Sequence, residues 1–225
     1  MIKNKKLLLY LGIFTIWLYG AWAVSEMLLM PAISGLGVNE YVYVLLRDVL
    51  LKSAVWILPA MLLIKRFSDD MSAGFKELFT FSRASRKYLL IAFALAGFVL
   101  FGVVVRTHTL AISSTFHPSK LIVALLVGFT EEIVFRGLYL NAAMKNADTD
   151  TKKYIAVGIN ALMFLAIHFP IWISSGVFVI NFKSFAFLTI IALSVLFSFC
   201  FIKCRNIWVA AILHSFYDLL VFMFV

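Results

Sequence analysis

The chain has 225 residues, of which 64% are hydrophobic and only 14% charged, and its mean hydropathy is +1.02. A soluble domain is about a quarter charged and could not bury so much apolar surface, so the composition excludes an ordinary soluble protein and indicates a polytopic membrane protein. The net charge of +9 does not indicate nucleic-acid binding, because the basic residues lie in short segments between apolar runs and no phosphate-binding loop is present.

Apolar runs long enough to cross a bilayer, at about 20 residues each, occur seven times along the chain. They are 7–29, 41–64, 88–105, 121–143, 154–173, 184–202 and 206–225. The sequence therefore predicts an all-α fold, a polytopic transmembrane helix bundle of about seven spans in a single membrane domain, 1–225. Residues 1–119 hold spans one to three, and 120–225 hold spans four to seven. The first run follows three lysines like a secretory signal, but it is too long for one, so cleavage after Ala23 is the minor alternative.

The distribution of lysine and arginine predicts the orientation of the bundle. With the N-terminus inside, fourteen of these residues lie in cytoplasmic segments and three in outside segments. Positive residues are enriched on the cytoplasmic side, so the N-terminus is predicted to be cytoplasmic. The small, inside-positive format predicts an integral protein of a bacterial cell membrane. The only two cysteines, Cys200 and Cys204, lie on one predicted helix and exclude a disulfide scaffold.

Two further stretches of the N-terminal part leave alternatives open. The inside loop 65–87 has apolar residues at helical spacing, which suits either a short helix in the membrane interface or one packed under the bundle. Span two carries Arg47, Asp48 and Lys52, and the last two can pair one turn apart. These charges either line a cavity or lie at the membrane interface, and the sequence favours the interface.

Span four carries three charged residues, Glu131, Glu132 and Arg136, inside an apolar run. A charge at mid-bilayer costs about 2.5–3.5 kcal/mol even on the lenient insertion scale, so such residues usually face the interior of the bundle and serve function. Glu132 and Arg136 are four residues apart and are predicted to pair. Glu131 points about 100 degrees away around the helix and has no local partner, which is the situation of an available general base.

Polar residues recur in the two other C-terminal spans at a similar depth. Span five carries His168, and span seven carries His214 and Asp218 one turn apart. At 1.5 Å per residue these groups and Glu131 fall in one layer of the membrane, so a shared buried site is predicted. A glutamate and a histidine can deprotonate a water, and a second histidine can stabilise an oxyanion. A divalent metal such as zinc, held by histidines and carboxylates, is the open alternative.

Three motifs in this half of the chain resemble those of a known family. E-E-I-V-F-R resembles the E-E-x-x-x-R motif of the CPBP intramembrane proteases, the CAAX-protease and bacteriocin-processing (Abi) family. F-L-A-I-H, ending at His168, is similar to its F-x-x-x-H motif, and H-S-F-Y-D, from His214 to Asp218, resembles its last motif, H-x-x-x-N. The motifs occur in family order, and the resemblance covers about 120–225.

The resemblance implies a function for each matching residue. Glu131 is implied as the general base and His168 as its partner on the catalytic water, with Glu132 and Arg136 as a supporting pair. His214 is implied to stabilise the oxyanion together with position 218. The family is described both as metal-dependent and as metal-free, so metal ligation by Glu131, His168, His214 and Asp218 stays open.

One position departs from the family pattern. Asp218 stands where the prenyl-protein proteases have asparagine. An ionised aspartate would repel an oxyanion, so Asp218 must be protonated, orient His214, or ligate a metal. This departure mildly favours the last two of these.

The sequence thus predicts an intramembrane endopeptidase that acts in the lipid bilayer on a membrane-associated peptide or protein, with a function in bacteriocin processing or self-immunity. The first alternative is a non-catalytic bacteriocin-immunity or scaffold protein that keeps the polar cluster for structure. The second is a proton-coupled transporter, because buried glutamate and histidine can relay protons. The absence of an inverted repeat lowers the transporter alternative.

Overall fold

The computed structural model describes residues 2–225, and this part of the chain is helical with no β-strand, which confirms the all-α prediction. We number the nine principal helices in chain order. They are α1 (Lys5–Gly35), α2 (40–66), α3 (Phe75–Leu78), α4 (Arg83–Thr107), α5 (119–144), α6 (Asp150–Ser174), α7 (Phe178–Lys183), α8 (Ala186–Cys204) and α9 (Trp208–Phe224).

Four of these helices, α1, α4, α6 and α8, are long and apolar enough to cross a membrane. Of the other three predicted spans, α9 is apolar but has 17 residues, while α2 and α5 each carry three charged residues within their apolar runs. Large apolar side chains on the outer face of α1, such as Ile16 and Leu9, are exposed, which suits contact with lipid. The seven-span count and the cytoplasmic N-terminus remain predictions.

Helix α5 forms the centre of the bundle, because every residue from 130 to 142 is buried. A helix that is buried on all sides is a core element, which explains why the run is apolar around its whole circumference apart from the charged motif. Its neighbours α1, α2 and α6 share one large hydrophobic cluster with it, and α4, α8 and α9 form a second cluster beside it.

Several helices contain π-helical turns, and these lie close to the charged residues. Ile133–Leu140 follows the glutamate pair of α5, while Leu45–Leu51 and Ser53–Ile57 flank Lys52 in α2. A π-turn adds a residue to the turn and re-aims the following side chains, and it often occurs at functional sites. The plain 3.6-residue geometry used to place these side chains from sequence is therefore only approximate here.

The loop between α2 and α4 packs under the bundle, which settles the first open alternative. Met71, Ala73 and Leu78 are buried. The side chain of Asn141 in α5 accepts a hydrogen bond from the Ala73 N–H at 2.7 Å and donates to its carbonyl at 2.9 Å. The loop is thereby tied to the central helix.

A second attachment joins this loop to the turn between α8 and α9. Arg205 Nη2 donates to Glu77 Oε2 at 3.0 Å and also to the carbonyl of Ser72. The hydrogen bond and charge of Arg205 hold the pKa of the Glu77 carboxyl below its usual value. Trp208 in turn donates through Nε1 to the Phe79 carbonyl at 2.8 Å, so the start of α9 is fixed by the loop.

Helices α5 and α9 approach closely at Gly128, the first residue of the charged stretch. A Cβ atom at this position would lie 2.6 Å from the Ser215 backbone nitrogen and 3.0 Å from the Ala211 carbonyl oxygen. Only glycine therefore permits this spacing. Because His214 is adjacent to Ser215, the same contact sets how far His214 lies from the glutamates of α5.

We expect Gly128→Ala to lower the stability of the protein by about 1–3 kcal/mol, because the added methyl group must push α9 away from α5. The melting temperature of the purified protein in detergent measures this. Gly97→Ala in α4 is the matched control, since a Cβ there has nothing within 4 Å, and alanine is the better helix former. Equal melting temperatures for the two variants would contradict the close-contact interpretation.

Candidate active site

Glu132 and Arg136 form the buried pair that their spacing predicts. Arg136 Nη1 donates to Glu132 Oε1 at 2.9 Å, and neither side chain is exposed. Arg136 Nη2 also donates to the carbonyl and hydroxyl oxygens of Ser194 in α8, at 2.9 and 2.8 Å. The guanidinium plane lies over Phe164, 4.6 Å from the ring centre. Arg136 therefore joins α5, α6 and α8 around one neutralised charge pair.

His214 reaches this pair from α9. Its Nδ1 lies 3.0 Å from Glu132 Oε1, so that one carboxylate oxygen serves both Arg136 and His214. The imidazole stacks on Phe197, with ring centres 4.9 Å apart and planes 24° from parallel. Its other nitrogen, Nε2, lies 3.5 Å from Asp218 Oδ2 and 4.0 Å from Glu131 Oε2. The position of Asp218 fits a carboxylate that orients His214.

Glu131 has no direct hydrogen-bond partner among residues 2–225, although the residue is only 6% exposed. The nearest cationic groups are Lys52 Nζ, 3.9 Å from Oε1, and His214 Nε2, 4.0 Å from Oε2. Both separations exceed hydrogen-bond length. The carboxylate of Glu131 therefore lies near Lys52 and His214 without a hydrogen bond to either. Its lone pairs are free to accept hydrogen bonds from a water or a substrate.

His168 lies at a bend in α6 that the sequence explains. Pro170 lacks an N–H, and its ring clashes with the carbonyl four residues before it, that of Ala166, where the first part of α6 ends. The half-buried His168 follows directly after this break. Its Nδ1 lies 2.8 Å from the Phe164 carbonyl oxygen. A carbonyl only accepts hydrogen bonds, so Nδ1 carries the proton and Nε2 presents a lone pair.

The two histidines lie on either side of one aromatic ring. Phe164 packs edge-on against His168, with ring centres 5.2 Å apart, and against His214 at 5.7 Å. The same Phe164 ring lies under the guanidinium group of Arg136, so it links His168 to the charged residues of α5. The structure therefore brings the six predicted site residues into one region, where α5, α6 and α9 meet.

Four charged residues of α1 and α2 extend the site, and sequence reasoning missed their position. The interface placement favoured for Asp48 and Lys52 is wrong, since both are only 2% exposed. Lys52 Nζ lies 3.3 Å from Asp48 Oδ1, and Arg47 donates to Glu26 of α1 at 2.7 Å. The i, i+4 spacing in α2 was the one available signal. The two tryptophans that cover Lys52 come from α1 and α2 and could not be placed from sequence.

The donor set does not fit a metal ion well. Among the described residues 2–225 no three histidine, cysteine or acidic side chains converge in a metal-binding arrangement. The cation nearest to Glu131 is the ammonium group of Lys52, and a divalent ion at Glu131 would be repelled by it. His214 Nδ1 is occupied by Glu132. Side chains alone can supply the general base and the oxyanion donor at this site.

Comparison with known proteins gives one family. Residues 118–220, a little under half of the chain, match the family model described as type II CAAX prenyl endopeptidase Rce1-like. No curated protein and no solved structure gave a significant match. The matched region begins at the start of α5 and includes all three motifs. The chain therefore carries an Rce1-like region, in agreement with its resemblance to the CPBP family of CAAX-type membrane proteases.

Proposed function

We propose that this protein is an intramembrane endopeptidase that hydrolyses a peptide bond of a membrane-associated peptide or protein with a water activated by Glu131 and His168. The observation that carries the proposal is the buried Glu131 carboxylate, which has no direct hydrogen-bond partner among the described residues and lies 4.0 Å from His214 Nε2. Glu132 differs, because its Oε1 accepts hydrogen bonds from Arg136 and lies 3.0 Å from His214 Nδ1, so that only its Oε2 lacks a partner among the described residues. The family match supports the protease class.

In the proposed reaction Glu131 accepts a proton from a water while the water oxygen bonds to the carbonyl carbon of the substrate. His168 Nε2, which presents a lone pair, accepts a hydrogen bond from the same water and orients it. His214 donates through Nε2 to the oxyanion of the tetrahedral intermediate, while its Nδ1 contact with Glu132 holds the imidazole in place and Asp218 lies 3.5 Å from Nε2. The intermediate collapses when Glu131 returns the proton to the leaving nitrogen and the carbon–nitrogen bond breaks.

The substrate class follows from the location of the site. The charged residues lie on helices that are apolar elsewhere, so the scissile bond must reach them from the membrane or its surface. The matched family is named for prenylated CAAX proteins. For a chain of predicted bacterial origin, a leader peptide or a signal-like segment in bacteriocin processing or self-immunity is the more natural substrate, and we propose a location in the bacterial cell membrane.

The test is a proteomic comparison of peptide termini in cells that express wild type, Glu131→Gln or the control Glu40→Gln. Glu40 is an exposed glutamate at the start of α2. We expect a set of termini that is present with wild type and Glu40→Gln and absent with Glu131→Gln. Identical termini in all three would overturn the protease proposal and favour the non-catalytic immunity function.

A further inference from the structure

Lys52 is a buried cation outside all three family motifs, and the matched region does not include it. Only 2% of the residue is exposed. Its ammonium group lies 5.4 Å from the ring centre of Trp22 and 5.6 Å from that of Trp56, so two indole rings cover its flanks. Lysine is almost never fully buried in a protein unless it is paired, so the burial of Lys52 requires a specific partner.

Neutralisation of Asp48 does not by itself account for this lysine. Arg47 Nη1 also lies near Asp48 Oδ1, at 3.5 Å, so that carboxylate already has a second cation. Of Arg47 and Lys52, only Lys52 also approaches α5, whereas Arg47 pairs with Glu26 of α1.

The position of Lys52 relative to Glu131 indicates what it does. Lys52 approaches Oε1 from α2 at 3.9 Å, while His214 approaches Oε2 from α9 at 4.0 Å. Each of the two oxygens therefore has a basic group from a different helix near it. Because neither contact is a hydrogen bond, Lys52 acts through its charge and leaves the lone pairs of the carboxylate to the reaction.

We propose that Lys52 is a positioning residue for the hydrolytic reaction: it holds the Glu131 carboxylate in the orientation for proton transfer, and Asp48 with the two indole rings holds Lys52. The inference rests on the proposed function and adds a residue from the N-terminal half of the chain to the site. It predicts that the matched region, 118–220, does not contain every residue that the reaction needs.

The test compares Lys52→Met, Lys52→Arg and the double variant Asp48→Asn/Lys52→Met in cells. The readout is the rate at which the Glu131-dependent termini appear, divided by the amount of folded protein in the size-exclusion profile. Lys65→Met, an exposed lysine at the end of the same helix, is the matched control. Melting temperatures of the purified variants separate stability from activity.

We expect Lys52→Met to lower the rate by about 10-fold to 100-fold, since a misplaced catalytic group has effects of that size. Lys52→Arg should keep most of the rate because it keeps the charge, and Lys65→Met should keep all of it. In the double variant the Asp48 charge is removed together with Lys52. The melting temperature should therefore return toward the wild-type value, while the cleavage rate should stay low. If Lys52 were only structural, the melting temperature and the cleavage rate would both recover in the double variant, and that result would overturn the proposal.

A wild-type rate in Lys52→Met would likewise overturn it. Failure of the protease proposal can be distinguished from failure of the Lys52 proposal. If the protein is not a protease, wild type and Glu131→Gln yield the same peptide termini, and this result does not depend on any Lys52 variant. That outcome would remove this inference as well. Glu131-dependent termini with an unchanged Lys52→Met rate would remove only the positioning function of Lys52.

Discussion

Replacing Arg136 by methionine is expected to destabilise the protein by about 3–5 kcal/mol, enough to remove most of it from the membrane fraction. The change leaves Glu132 as a buried carboxylate whose remaining partner is His214. It also frees the Ser194 oxygens that Arg136 now satisfies in α8. The measurement is the amount of folded protein after detergent extraction, together with its melting temperature.

The control for this prediction removes both charges at once. In Glu132→Gln/Arg136→Met no uncompensated charge remains, so most of the lost stability should return. A single variant as stable as wild type would mean that the pair does not stabilise the bundle. A double variant as unstable as the single would mean that the contacts of Arg136 with Ser194 and Phe164, rather than its charge, are what matters.

Local spacing was sufficient to predict the parts of the site that lie on one helix. The pair of Glu132 and Arg136 is one turn apart in sequence and pairs in the structure. His214 and Asp218 are likewise one turn apart and meet at 3.5 Å. Composition was sufficient to exclude a soluble protein, and the apolar runs of about 20 residues were sufficient to predict helices.

The parts that could not be predicted depend on contacts between helices. The sequence of span two does not distinguish a lysine at the membrane interface from one buried against α5. The position of Lys52 depends on how far α2 is inserted and on the π-turns on either side of Lys52. Glu26 was not recognised because its partner, Arg47, lies on the next helix. The closeness of His214 to Glu132 depends on the glycine contact at Gly128, which no periodicity reveals.

The contrast between the two adjacent glutamates connects stability with function. Glu132 accepts hydrogen bonds from two side chains at one oxygen, and it belongs to the framework that joins α5, α8 and α9. Glu131, one residue earlier, is turned toward α2 and His214 and has no such bond. Loss of Arg136 should therefore affect folding first, whereas loss of Glu131 should affect activity alone.

Glu131→Gln and His168→Asn are each expected to lower the rate of substrate cleavage by about 10²–10⁴-fold, the usual contribution of general acid–base groups. Asparagine keeps an N–H near the position of Nδ1, so the bond to the Phe164 carbonyl can persist while Nε2 is lost. Melting temperatures should change little. The rate is measured as the appearance of the Glu131-dependent termini per folded molecule.

The double variant decides whether the two side chains act on one water. If they do, removing the second group costs little once the first is gone, so Glu131→Gln/His168→Asn should be about as slow as the slower single variant. Independent functions predict that the two losses multiply. Multiplying losses, or a His168→Asn variant that cleaves at the wild-type rate, would contradict the shared water. The contact of Nδ1 with the Phe164 carbonyl favours the non-additive result, because it leaves Nε2 as the nitrogen that can bind the water.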